Sequence, residues 1–240
     1  AGTEKPSSAS LTLYEGEVLG IAGLVGSGRT EFLRVLFGLE PVRGCRIKIG
    51  IYSGPGSPTA RWMQGVGMLS ENRKEEGLAV GLSISDNVTL TKLRGFGPMG
   101  LVLPRKQDAA ARKWVDRLDI RCEGPRQRVS DLSGGNQQKV ALGRLLQHDV
   151  DIYLLDEPTR GIDVAAKVKI YQMIDALAAG SDREKRPPKS VLMVSSYLPE
   201  LLGVCDRIAV MVRGRLSGIR PVSELDENRL MLAATGKGEL

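Results

Sequence analysis

Aromatic side chains are scarce in this 240-residue chain, at 4% of the total. Aliphatic residues must therefore fill its core, and a hydrophobic content of 42% is ample for that. The same scarcity removes the stacking platforms of a nucleic-acid binder. The net charge of +6, from 34 basic and 28 acidic residues, is spread along the chain with no basic block. No nucleic-acid partner is expected. The three cysteines, Cys45, Cys122 and Cys205, are far apart and odd in number. Neither a disulfide framework nor a zinc pattern fits them, which favours a reducing compartment. No apolar run approaches the ~20 residues of a membrane-spanning helix. The opening AGTEKPSSAS has no signal-peptide core, and residues 1–12 read as a flexible linker. The length suits one large domain or two small ones.

What is present is an alternation of apolar runs and helical patterns. EVLGIAG, from Glu17 to Gly23, is a short buried strand ending at glycine. TEFLRVLFGL follows as a helix, with Phe32, Leu36 and Leu39 expected on one face and Gly38 near its end. CRIKIGIYSGPGSP reads as a strand and loop, and Ser57-Pro58 as a helix start. GVGMLSENRK begins as another strand. The stretch of about 72–131 turns helical and polar, with KQDAAARKWVDRLDI its clearest helix. VDIYLLDEP and SVLMVSS are buried strands, AAKVKIYQMIDALAAG is a helix ending at Gly180, and DRIAVMV with RLSGI forms a hairpin. SDREKRPPKS is a charged surface loop. The fold expected is α/β with a mostly parallel sheet. Its domain would cover 13–240, with an α-helical insert at about 72–131.

Three motifs carry chemistry. Gly23, Leu24, Val25, Gly26, Ser27, Gly28, Arg29, Thr30 and Glu31 fall on the phosphate-loop pattern G-x-x-x-x-G-K-[ST], except that arginine replaces lysine. A glycine-rich turn exposes successive backbone N–H groups, and the following helix adds its positive end. Thr30 would offer a hydroxyl to Mg²⁺. Arginine is a planar fork rather than a compact ammonium, so phosphate would be held differently. The competing reading is an ordinary glycine turn. IYLLDEP places Asp156 and Glu157 at a strand's C-terminal end, where ligands sit in open α/β sheets. Asp156 suits a Mg²⁺ shell and Glu157 a general base. LSGGNQQKV, with Leu132, Ser133, Gly134, Gly135, Asn136 and Gln137, opens a helix with a second anion-binding start. The competing reading there is a plain N-cap.

Together these segments resemble the nucleotide-binding domain of ABC transporters, from about Leu13 to Gly218. LSGGNQQ is close to that family's signature, and LLDEPTRGID matches its Walker B strand and D-loop, with Gly161 and Asp163. GLVGSGRTE, SENRKEEGL, LSGGNQQKVALGRLL and VSSYLPELL resemble the C-terminal ATP-binding half of bacterial carbohydrate importers. The resemblance implies an ABC-type ATPase that uses ATP and Mg²⁺. It also implies a second nucleotide-binding domain, expected in the same polypeptide, and transmembrane permease subunits. A periplasmic or extracellular sugar-binding protein would act indirectly, and the chain would sit peripherally on the cytoplasmic face of the bacterial membrane. Two domains would close head to tail, each signature completing the partner's ATP site.

Three positions depart from the family. Arg29 replaces the Walker A lysine, Glu71 the Q-loop glutamine and Ser196 the switch-loop histidine. In the family each touches the γ-phosphate side, and hydrogen bonds to developing charge there are worth several kcal/mol. Slow turnover at the chain's own site is expected, with the signature loop serving a faster site on the partner. Two alternatives stand beside this: a non-hydrolysing regulatory module, and a soluble ABC ATPase acting on nucleic acid or ribosomes. His148, the single histidine, reads as a surface helix-end residue. Tyr14 is only fifteen residues before Arg29 and is a doubtful adenine platform. This leaves open that the domain's first strand lies upstream and that the chain is a fragment.

Overall fold

A computed structural model describes residues 6–41, 45–181, 186–238 and 240. The first five residues of the expected linker and four residues of the charged 181–190 loop lie outside them. The chain divides into two compact units. One comprises Ala1–Met68, Asp151–Glu157 and Met173–Leu240; the other comprises Leu69–Val150 and Pro158–Gln172.

The first unit is built on a sheet. Strands β1 (Val18–Ala22), β4 (Val66–Leu69), β5 (Ile152–Asp156), β6 (Ser190–Ser195), β7 (Arg207–Val212) and β8 (Arg215–Leu216) run in the order β4-β5-β6-β1-β7-β8. β1 lies parallel to β6 and β7, and β5 parallel to β6. β7 and β8 form the expected antiparallel hairpin, and β9 (Arg220–Pro221) also pairs with β7. The short strands β2 (Lys48–Ile49) and β3 (Tyr52–Ser53) form a separate antiparallel pair. The central strands are apolar through their middles because both faces are covered; β1 is buried at every position. Their core is aliphatic, as the lack of aromatics requires: Leu19, Ile21, Leu33, Leu154, Leu192 and Val194 meet around Phe32 and Phe37.

Helix α1 (Arg29–Phe37) follows β1 and ends at Gly38, whose left-handed backbone (φ 88°) closes it. Its buried side chains differ from the expected set. Phe32, Leu33 and Phe37 face the core, Leu36 is partly buried, and Leu39 is exposed beyond the helix end. The error lay in the length, because the helix stops before Leu39. Helix α2 (Pro58–Met63) starts at Ser57, whose hydroxyl accepts from the Ala60 amide.

The second unit is helical. α3 (Ile84–Thr89), α4 (Pro104–Arg117) and α5 (Gly134–His148) enclose Ile84, Val88, Ala111, Trp114, Val140 and Leu145. Gly143 lets α5 approach closely, since a Cβ there would meet Leu118, Trp114 and Val88. The Trp114 indole donates to Gln147 at 2.7 Å. Buried Asn87 bonds both the amide and the carbonyl of Ala79, so its polar atoms carry no desolvation penalty. The expected insert of about 72–131 contains α3 and α4; the contacts group α5 and 158–172 with it. α6 (Val164–Ala179), α7 (Leu198–Val204) and α8 (Glu227–Ala234) complete the chain. No helix among the described residues is long and apolar enough to cross a membrane. All three cysteines are free thiols. His148 ends α5, half-buried, and burial first of all pulls its pKa below the usual histidine range.

Candidate nucleotide site

The loop between β1 and α1 is shaped by glycine. At Gly23 a Cβ would lie 2.5 Å from the Met211 carbonyl and 2.8 Å from Ser27 Oγ, so no side chain fits. Gly28 holds a left-handed backbone (φ 102°) at the start of α1 and supplies no side-chain cap. The first-turn amides of α1 are therefore left to a ligand or water. Leu24, Val25 and Gly26 form the exposed rim, while Ser27 and Arg29 are buried. The Ser27 carbonyl accepts from the Gly214 amide, tying the loop to the β7–β8 turn.

β5 delivers the two carboxylates. Asp156 is fully buried at the strand end, with Oδ1 accepting from Thr30 Oγ1 at 3.3 Å. Glu157 follows in a left-handed conformation (φ 46°), rare for a non-glycine residue. This turns its side chain to the Ser196 amide, which donates to Oε1 at 2.7 Å. Arg29 Nη2 lies 3.5 Å from the same oxygen. The predicted residues Gly23 to Glu31, Asp156, Glu157 and Ser196 thus share one unit and, around Glu157, one cluster.

Electrostatics mark the cluster as unfinished. Burial pushes the Asp156 carboxyl up to about 7; Thr30 and Arg29 oppose the rise and Glu157 reinforces it. Burial pulls the Arg29 guanidinium below its usual range, against the attraction of Glu157 and Asp156. Ser27 Oγ, Arg29 Nη1 and Asp156 Oδ2 are buried with no hydrogen-bond partner among the described residues. Donors and an acceptor desolvated without partners are costly unless a ligand supplies them. The donors suit an anion. A hydroxyl and an orphaned carboxylate oxygen suit a hard cation such as Mg²⁺.

The segments expected to be the signature and D-loop lie in the helical unit. Ser133 is exposed and caps α5, accepting from the Asn136 amide and side chain. Asn136 also accepts from the Arg121 amide. Leu132 and Gln137 are buried. The Gln137 amide donates to the carbonyls of Val129 and Leu132, at 3.0 and 3.2 Å, so its work is to hold this loop. Gly135 has a packing reason: a Cβ would sit 2.6 Å from the Gly161 carbonyl. Gly134 likewise leaves room for the Arg73 guanidinium. Gly161 is left-handed (φ 73°). Asp163 caps the start of α6, and the bond from the Ala166 amide holds its carboxyl below the usual range. Glu71 is ion-paired with Arg160, a D-loop neighbour that the motif reading passed over.

Two further groups were not legible in the motifs. Ser195 lies between Glu157 and Glu200, with its hydroxyl 2.6 Å from Glu200 Oε2. Glu200 stands in the first turn of α7, a common dipole-matched position for an acidic residue. Only the packing of β6 against α7 reveals it as buried. Tyr14 is exposed, with the Arg207 guanidinium over its ring at 5.0 Å.

A phosphate-type loop with carboxylates at the ends of parallel strands defines the architecture as that of phosphate-loop NTPases. The chain belongs to the ABC transporter family, whose family model matches residues 7–160. A putative ribose/galactose/methyl galactoside import ATP-binding protein of Agrobacterium fabrum is 41% identical over 97% of this chain and 45% of its own length. The ribose import ATP-binding protein RbsA of Lactococcus lactis is also 41% identical, over 95% and 45%. A Burkholderia cenocepacia relative, again a putative ribose/galactose/methyl galactoside import ATP-binding protein, reaches 43% over 93% and 43%. The chain therefore spans less than half the length of these relatives. In structure it is similar to the ATP-binding cassette MJ0796, solved as a dimer bound to ADP and Pi. The TM-score is 0.74 at 22% identity, over 88% of each chain, which bears on the fold.

Proposed function

We propose that this chain is the ATP-binding, energy-coupling part of a carbohydrate importer, and that its own nucleotide site turns over slowly. The observation that carries the reading is the set of orphaned buried groups: Ser27 Oγ and Arg29 Nη1 as donors, and Asp156 Oδ2 beside Thr30 as an acceptor. ATP phosphates would occupy the loop from Gly23 to Glu31, facing the α1 amides. Thr30 and Asp156 would hold Mg²⁺, which when bound neutralises phosphate charge. Glu157 would take the proton of the attacking water. The names of the import relatives support sugar transport, permease partners, a sugar-binding protein acting indirectly, and a position on the cytoplasmic face of the membrane.

Slow turnover has a geometric rationale. Arg29 places one prong 3.5 Å from Glu157 and leaves the other for phosphate. A cation beside a carboxylate oxygen makes it a weaker base. A lysine has no second prong and cannot hold both groups in this way. Ser196 offers Glu157 its backbone amide rather than an imidazole. Ser133 to Gln137 would complete the ATP site of a second nucleotide-binding domain, with Gly161 and Asp163 shaping the adjoining loop. Two variants of the full-length polypeptide, assembled with its permease, test this division of labour. Ser133→Arg should cut ATP hydrolysis more deeply than Glu157→Gln. Equal or reversed effects would refute it.

A further inference from the structure

The turn that follows β6 does more than present Ser196. Ser195 is wholly buried, and Glu200, five residues on in α7, is 3% exposed. The Ser195 hydroxyl donates to Glu200 Oε2 at 2.6 Å and accepts from the Tyr197 amide at 3.0 Å. A hydroxyl carries one proton, and here Glu200 takes it. The neighbouring Glu157 Oε2 lies farther off, at 3.5 Å, and receives only the weaker share of that hydroxyl. Between these two anchored residues sits Ser196, whose amide reaches Glu157 Oε1 at 2.7 Å.

We propose that Glu200 is a positioning residue for ATP hydrolysis: by engaging the Ser195 hydroxyl it fixes the turn whose Ser196 amide aligns Glu157. The inference rests on the reading of Glu157 as the base. It explains how the site orients that carboxylate with only a serine at 196. The left-handed backbone of Glu157 fixes one end of its side chain, and the Ser196 amide fixes the other. A β6–α7 turn without the Ser195–Glu200 bond would leave the amide free to rotate away. It would also free the serine proton for Glu157 Oε2, weakening the base.

The test uses the full-length polypeptide with two readouts. The first is hydrogen exchange at the Ser196 and Tyr197 amides, which needs no turnover. Glu200→Ala should speed exchange at both amides while leaving the β1 amides protected, and Glu200→Gln, which keeps an acceptor, should restore most of the protection. The second is hydrolysis in the Ser133→Arg background, where the remaining turnover would belong to this chain's own site. There Glu200→Ala should lower kcat about tenfold, the scale of losing an outer hydrogen-bond partner of a catalytic group, with KM for ATP within about twofold. If Glu200→Ala unfolds the chain, Ser195→Ala removes the same bond with little change in volume and should reproduce both effects. Unchanged exchange at both amides, or a rise in KM without a fall in kcat, would overturn the proposal. A failure of Ser133→Arg to lower hydrolysis would count against the division of labour instead, and the exchange readout would still judge Glu200.

Discussion

Asp156 is held in an environment that opposes its own charge, and replacing it by asparagine should reveal how strongly. Its side chain is fully buried, one oxygen accepts from Thr30 and the other has no partner among the described residues. Burial raises its pKa from the ordinary 3.8 to about 7. A raised carboxyl pKa means the folded state binds the proton more tightly than the unfolded state. The resulting stabilisation is fully present below about pH 3.8 and is lost as the pH rises through about 7. The full rise corresponds to about 4 kcal/mol, and water entry and local relaxation reduce it to roughly 2–4 kcal/mol. Asp156→Asn keeps the acceptor for Thr30 and removes the ionisation. In nucleotide-free and metal-free protein it should be close to neutral at pH 4.5 and raise Tm by roughly 5–10 °C at pH 8. Thermal melts across that range, with wild type and variant side by side, measure the difference. A Tm difference that does not grow with pH, or a variant less stable than wild type at pH 8, would refute the assignment. The same substitution should weaken binding of Mg²⁺ with nucleotide, so stability and function would move in opposite directions.

Two other substitutions probe the site and its supports. Arg29→Lys removes the second guanidinium prong, so Glu157 should be released; in the Ser133→Arg background turnover should rise on the order of tenfold, the worth of one charge-assisted hydrogen bond, and an unchanged or lower rate would count against the pairing of Arg29 with Glu157 as the cause of slow turnover. Gly135→Ala should destabilise by about 1–3 kcal/mol in thermal melts, because the new Cβ would lie 2.6 Å from the Gly161 carbonyl; at a freely exposed helix position the same change would stabilise by up to about 1 kcal/mol.

The sequence by itself determined the α/β alternation, the parallel sheet, the phosphate-type loop and the family. Glycine positions, apolar runs and carboxylates at strand ends are local signals, because each reports a backbone or burial requirement of its own segment. Gly23, Gly28, Asp156 and the Ser133 cap were legible for that reason. Only the tertiary structure decided which atoms are left without partners and which residues share a bond across distant segments. The roles of Glu200 and Ser195 depend on how α7 folds back on β6. The engagement of Gln137 with the carbonyls of Val129 and Leu132 depends on loop closure around α5. The pairing of Glu71 with Arg160 joins residues 89 positions apart. Even Arg29, visible at once as an odd letter, acquired its meaning from a carboxylate 128 residues away. Hydrogen bonds and desolvation are set by distance in space, and one-dimensional spacing encodes that distance only within a helix turn or a strand pair.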